Sequence, residues 1–414
     1  MHRPSALPAT ERIESLDVLR GIALLGIFVM NMPGFSSSFH QPLAEVPQLV
    51  DETSALDKAA YVLMGWLFEG KFNGLFSFLF AVGLMLQLQR LSLQGSGASA
   101  IGVVLRRMLA LLAFGILHIT LLWGGDVLHV YAVLGVGLIL LRGWSAASLA
   151  WLAVALYASQ LLHAVIGADR WSLSSARAEQ AFLTREMARD NAIYGEGSWW
   201  QGVLLRTEQA VTQYLNPFIA WPSLWFWLAL ATTAVMGAWA WRSGWLHANG
   251  LQQQWLASAA GRKRLWQAIV LGSALWWAAH LLGLGLEPFR PPGASAVVGW
   301  ALGDLSRLVL VAAYAGWVLR WCITPPSGLG LMMRRPLALV GRMPLTQYLL
   351  QSLLGTFIFH GWGLGLWEEL GSAAQLALAF VLFLCIQIPL AHWWLARHPM
   401  GPVEALWRRL SYGA

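Results

Sequence analysis

The chain has 414 residues, 57% of them hydrophobic and only 11% charged. Soluble domains carry about 25% charged residues, so this composition excludes a soluble globular protein. The apolar runs are too long, and lack the alternation, for the strands of a membrane β-barrel. The sequence instead predicts an all-α, polytopic transmembrane helical bundle of about ten crossings.

In chain order the predicted crossings are Leu16–Phe35, Phe72–Leu91, Ile101–Trp123, Asp126–Leu141, Trp144–Ile166, Trp221–Trp241, Leu265–Leu284, Val297–Trp321, Leu337–Phe359 and Ala374–Leu395. Ala59–Phe68 is too short to span and is broken by Glu69, Gly70 and Lys71, so it reads as an interfacial or re-entrant piece. Residues 167–220 form a hydrophilic insert of mixed charge and weak helical period, expected on the outer side as a solvated cap or a lid. The rest is one membrane domain. With a cytoplasmic N-terminus, Lys and Arg gather in the inner segments and acids in the outer ones. That split predicts an inner-membrane protein with both termini cytoplasmic. The net charge of +7 follows from this orientation and gives no argument for nucleic acid. The first apolar run is long and carries Asp17 and Arg20, unlike a cleavable signal peptide. Cys322 and Cys385 lie in or at the end of apolar runs and imply no disulfide framework.

Ionisable groups within hydrocarbon are costly and mark cavities or partners. In LDVLRGIALLGIFVMN, Asp17 and Arg20 are three residues apart and can pair on one helix face. Asn31, eleven residues after Arg20, falls on the same face ~16 Å further along. In FEGKFNGLFSFLFAVG, Lys71 stands at the outer edge of the second crossing, where an interfacial anchor is the plain alternative. In FGILHITLLWGGDVLHVYAVLG, His118 is followed by Asp126 across a Gly124–Gly125 turn that can fold the carboxylate back onto the imidazole. A carboxylate partner sets the tautomer and basicity that a general base requires. In VGRMPLTQYLLQSLLGTFIFH, Thr346, Gln347 and Gln351 read as interhelical hydrogen-bonding groups, with Arg342 at the inner end. Six histidines (His40, His118, His129, His163, His280 and His360) fall near outer ends. No HxxxH or HExxH spacing occurs, so a metal site is only weakly signalled and no metal ligand is assigned.

Five ordered blocks resemble the YeiB/DUF418 family of bacterial inner-membrane proteins: LDVLRGIALLGIFVMN, KFNGLFSFLFAVGL, GILHITLLWGGDVLHVYAVLG, GRMPLTQYLLQS and GPVEALWRRLSY. They run from Leu16 to Tyr412, essentially the whole chain. That family looks related to transmembrane acyltransferases, namely the acyltransferase-3 proteins and the lysosomal heparan-glucosamine acetyltransferase. The resemblance implies an acyl-CoA donor, most simply acetyl-CoA, entering from the cytoplasm. The acceptor would be a hydroxyl or amine on a sugar, lipid or small molecule at the outer side. In acyltransferase-3 proteins, the Arg of the opening helix is followed eleven residues later by a catalytic His; here that position is Asn31. The heparan enzyme also has Asn there, with its proposed catalytic His a loop further on, which points to His40. The YeiB-like pattern favours His118 and Asp126, so two histidines compete for one role.

The candidate catalytic residues are therefore His118, Asp126, Asn31 and His40. The candidate donor-binding residues are Arg20, Arg342, Asp17 and Lys71. Arg106 and Arg107 read first as ordinary inner-side charge. Besides the bilayer, a second copy of the chain is a conceivable partner. The rival class is a transporter or exporter of a small solute or lipid, because polar groups at both ends of one stripe suit an alternating-access path. No internal repeat supports it.

Overall fold

A computed structural model of the chain describes residues 14–40, 54–93, 97–170, 173–246, 251–281, 294–325 and 328–412. Among these there is no strand. Seven helices are long and apolar enough to cross a membrane: Glu14–Ser36, Ala55–Leu91, Ile101–Leu121, Ala146–Ile166, Phe218–Arg242, Val297–Ile323 and Ser372–Leu395.

The helices that build the site are α1 (Glu14–Ser36), α2 (Ala55–Leu67), α3 (Lys71–Leu93), α4 (Gly97–Leu121) and α5 (Leu128–Leu140). They are followed by α6 (Ala146–Arg170), α7 (Leu173–Asp190), α8 (Trp199–Leu215) and α9 (Pro217–Arg242). Next come α10 (Leu251–Ala257), α11 (Ala259–Leu281), α12 (Ala294–Ile323), α13 (Leu329–Gly341) and α14 (Pro344–Phe359). The last two are α15 (Ser372–Leu395) and the short amphipathic α16 (Pro402–Tyr412).

Each predicted crossing corresponds to a helix, but two differ in shape. The fourth is α-helical only over Leu128–Leu140, 13 residues or about 20 Å, and Asp126 lies before it in the turn. The ninth is broken. Pro344 lacks an N–H and disfavours helical geometry at the residue before it, so Met343 sits at φ −131°, ψ 55°. Leu337–Gly341 therefore belong to α13. The short piece before the second crossing is a capped helix, α2, whose N-terminus is closed by Ser54 accepting from the Asp57 N–H. It turns into α3 through Gly70 at φ 70°. The end of the seventh predicted crossing, 282–284, lies outside the described residues.

The centre of the bundle is α1, packed by α13, α14, α3 and α15. Close approach to α13 requires glycine on both sides. A Cβ on Gly21 would meet the Leu337 carbonyl, and one on Gly341 the Asp17 carbonyl. The polar groups of α14 join helices as expected. Gln351 Nε2 donates to Leu24 O and to Gln387 Oε1, both at 3.1 Å, and Gln387 Nε2 donates to Gln347 O at 3.1 Å. Gln387 ends a π-helical turn, Phe383–Gln387, the kind of helix irregularity that often accompanies functional sites.

Within the insert, α7 and α8 form a helical hairpin seated on the end of the bundle that holds His118. Arg206, 2% exposed, donates from Nε to Thr120 O at 3.0 Å and from Nη2 to Leu121 O at 3.2 Å. It thus supplies donors and positive charge to the carbonyl end of α4.

Candidate functional site

His118 lies in the last turn of α4, where Leu122 and Trp123 N–H both return to its carbonyl. The chain then turns over Gly124–Gly125 and folds Asp126 back. This is possible because Gly115 has no side chain: a Cβ there would lie 2.6 Å from His129 N and 2.9 Å from Asp126 Oδ2. Trp123 pins the turn to α1, donating from Nε1 to Gly34 O at 2.9 Å and packing on Phe35 with ring centroids 4.4 Å apart.

The result is a chain of hydrogen bonds through a buried carboxylate. His118 Nδ1 meets Asp126 Oδ1 at 2.8 Å, and both side chains are fully buried. Asp126 Oδ2 accepts from the His129 backbone N–H at 2.9 Å and from His129 Nδ1 at 2.7 Å. A carboxylate accepts only, so both imidazoles carry their protons on Nδ1. His118 Nε2 is then an acceptor, and it receives the Ser352 hydroxyl at 2.8 Å. His129 Nε2 is also an acceptor and pairs with the Tyr214 hydroxyl of α8. The order Ser352–His118–Asp126–His129–Tyr214 runs from the middle of α14 to the insert hairpin.

A cavity of about 290 Å³ leads toward this centre. Arg20, Gln87, Arg107 and Trp407 form its polar end; Leu24, Ile27, Leu79, Leu111 and Leu128 form an apolar shaft; Val127, Tyr131 and Tyr348 close it. The Tyr348 ring centroid is 5.1 Å from that of His118, and Ser352 is one helical turn beyond Tyr348. The lining Arg20–Leu24–Ile27 is the stripe read from the sequence, and Asn31 is its next member. The Asn31 carboxamide makes no hydrogen bond to His118 or Asp126. Adjacent residues of α14 reach α1 and α4 instead: Gln351 touches Leu24 and Ser352 touches His118.

The predicted donor-binding residues separate. Arg20 lines the cavity and pairs with Asp17 at 2.8 Å, as their spacing implied. Arg342 is outside the lining, with Nη2 3.3 Å from Pro399 O. Lys71 is buried elsewhere, its Nζ donating to Gly65 O at 2.7 Å. The inner-side cation that joins Arg20 is Arg107, its guanidinium stacked 4.0 Å over Trp407.

His40 also has a carboxylate partner, supplied from the insert. Asp190, at the end of α7, meets His40 Nδ1 at 2.8 Å and Ser38 Oγ at 2.5 Å, and accepts from Gln209 Nε2 at 2.7 Å. The sequence offered no signal for this pair, because its members are 150 residues apart. Ser352 stood within a recognised block, but a lone serine in an apolar helix carries no mark of its partner.

Fold and site together define a polytopic helical membrane protein with a buried serine–histidine–aspartate constellation at the head of an apolar cavity. Residues 240–414 match the family described as "Protein of unknown function (DUF418)". It is similar to "Uncharacterized protein YxaH" of Bacillus subtilis, 29% identical over 97% of this chain and 94% of the relative. It is 28% identical to "Uncharacterized protein YeiB" of Escherichia coli, over 98% of this chain and 97% of that one. No solved structure matches it.

Proposed function

We propose that the protein is an acyl-CoA-dependent transmembrane acyltransferase of the bacterial inner membrane, with both termini cytoplasmic. The observation that carries this reading is the pairing of His118 with Asp126 directly behind Tyr348 and Val127, which close a cavity whose other end is basic. The shaft has room for an acyl-pantetheine arm but not for a whole coenzyme. The nucleotide would stay at the rim, where Arg20 and Arg107 offer charge-assisted hydrogen bonds to phosphate. Arg20 and Asn31 are ~16 Å apart along α1, a span that an extended pantetheine arm bridges.

In this reading His118 accepts a hydroxyl proton at Nε2 while Asp126 holds Nδ1–H and stabilises the imidazolium. Asn31 makes no hydrogen bond to another described residue. Its amide is free to donate to the thioester oxygen as charge develops there. The acceptor is a hydroxyl or amine presented from the insert side.

The test is thiol release from acetyl-CoA by the purified full-length protein in detergent. Turnover that falls about 10²–10⁴-fold in His118→Ala supports the reading. Absence of any thioester turnover, with solute uptake by proteoliposomes, would replace it by a transporter.

A further inference from the structure

We infer that acyl transfer runs in two steps through an ester on Ser352 Oγ, an inference that rests on the acyltransferase reading. Three observations lead to it. First, His118 Nε2 is not vacant: Ser352 Oγ occupies it at 2.8 Å. An external acceptor would have to displace this hydroxyl inside a dry core, whereas Ser352 is already placed to lose its proton. Nucleophile, base and orienting carboxylate at hydrogen-bond distance are the geometry that activates a serine.

Second, the Ser352 hydroxyl is set apart from its neighbours. In apolar helices hydroxyls usually return their proton to a carbonyl one turn back. Thr356 does so to Ser352 O at 2.7 Å, Thr232 to Leu228 O at 2.8 Å and Ser243 to Trp239 O at 2.8 Å. Ser352 instead turns to the imidazole, and its side chain is fully buried.

Third, Tyr348, one turn before Ser352 on α14, lines the cavity and is held at its hydroxyl by long contacts alone. The Tyr348 hydroxyl is 3.4 Å from Val127 N and 3.4 Å from Gly125 O, at the long limit of a hydrogen bond. Movement of this ring is the one conformational change that the route from the shaft to Ser352 requires.

The steps balance without another reactant. Ser352 Oγ attacks the thioester carbonyl carbon as its proton passes to His118 Nε2. The C–S bond breaks, and that proton leaves on the coenzyme thiol. The acceptor hydroxyl or amine then attacks the serine ester. Its proton passes through His118 to Ser352 Oγ, which regains its hydroxyl as the acylated acceptor leaves.

The experiment incubates full-length protein in detergent with acetyl-CoA and no acceptor, quenches in acid, and maps peptides by mass. The expected result is one acetyl group on the peptide containing Ser352, a matching burst of free thiol, no label in His118→Ala, and thiol release at least about 10³-fold slower in Ser352→Ala. Acetyl on the thiol in Ser352→Cys would support the same route independently of how well the alanine variant folds. Wild type that turns over acetyl-CoA without label, or Ser352→Ala that retains turnover within tenfold, overturns the covalent step and leaves direct transfer by His118. Wild type that neither takes label nor releases thiol overturns both readings.

Discussion

At the residue scale the site depends on one missing side chain and one carboxylate. Gly115 lets the turn after α4 fold onto its own helix, so Gly115→Ala forces a methyl against His129 N. Overpacking of this kind costs about 1–3 kcal/mol, and it pushes Asp126 away from His118. The variant is expected to fold with a lowered melting temperature and to lose most thioester turnover; wild-type values for both would show that the close approach is unimportant. Asp126→Asn keeps the shape but sets an amide N–H2 against donors. It should reduce turnover by up to about 10⁴-fold, as when an orienting Asp is lost from a triad, and a loss below tenfold would remove Asp126 from the mechanism. His360, beyond the end of α14, offers a pH test. Burial, and then the nearby Arg206, push its imidazole down to about 3, below its ordinary value, so the unfolded chain binds the proton first. Stability from this residue is complete above about pH 6.5 and is lost as pH falls toward 3. Melting curves of wild type and His360→Gln should therefore converge at neutral pH and separate between pH 6 and 4, with the variant the less acid-sensitive.

At the element scale α14 carries Ser352, Gln351 and Tyr348, and its start is fixed by a distant residue. Glu404 of α16 accepts from Leu345 N at 2.6 Å, Thr346 N at 3.0 Å and Thr346 Oγ1 at 2.5 Å. A carboxylate on free N–H groups at a helix N-terminus satisfies them and complements the dipole. Loss of such a cap costs about 0.5–2 kcal/mol. Glu404→Ala should lower the melting temperature, with Glu404→Gln intermediate because it keeps one acceptor; equal melting of all three would mean the cap carries no weight. This contact joins the blocks GRMPLTQYLLQS and GPVEALWRRLSY, which are far apart in the chain and whose pairing no periodicity announces.

At the scale of the whole molecule the arrangement has a basic end and an insert end. The proposed orientation predicts that Gln180→Cys, on the exposed side of α7, reacts with an impermeant thiol reagent in intact cells. Gly413→Cys should react only after lysis, both in a background lacking Cys322 and Cys385. Labelling of position 413 without lysis would invert the orientation.

The bundle was legible because apolar length is local: each run must bury its own backbone hydrogen bonds in the membrane and so declares itself as a helix. The Asp17–Arg20 pair, the Arg20–Asn31 stripe and the return of Asp126 to His118 were legible for the same reason, since each spans eleven residues or fewer. The break at Met343–Pro344 had a local cause, but its effect, two helices in place of one crossing, depended on where α13 packs. What only the tertiary structure decided are the contacts that close over long separations: Ser352 on His118 across 234 residues, His40 on Asp190 across 150, and Tyr214 on His129 across 85. Hydrophobic pattern specifies which face of a helix is inside, but not which helix it meets. Close packing through Gly21, Gly115 and Gly341 chose those neighbours, and with them gave His118 its serine.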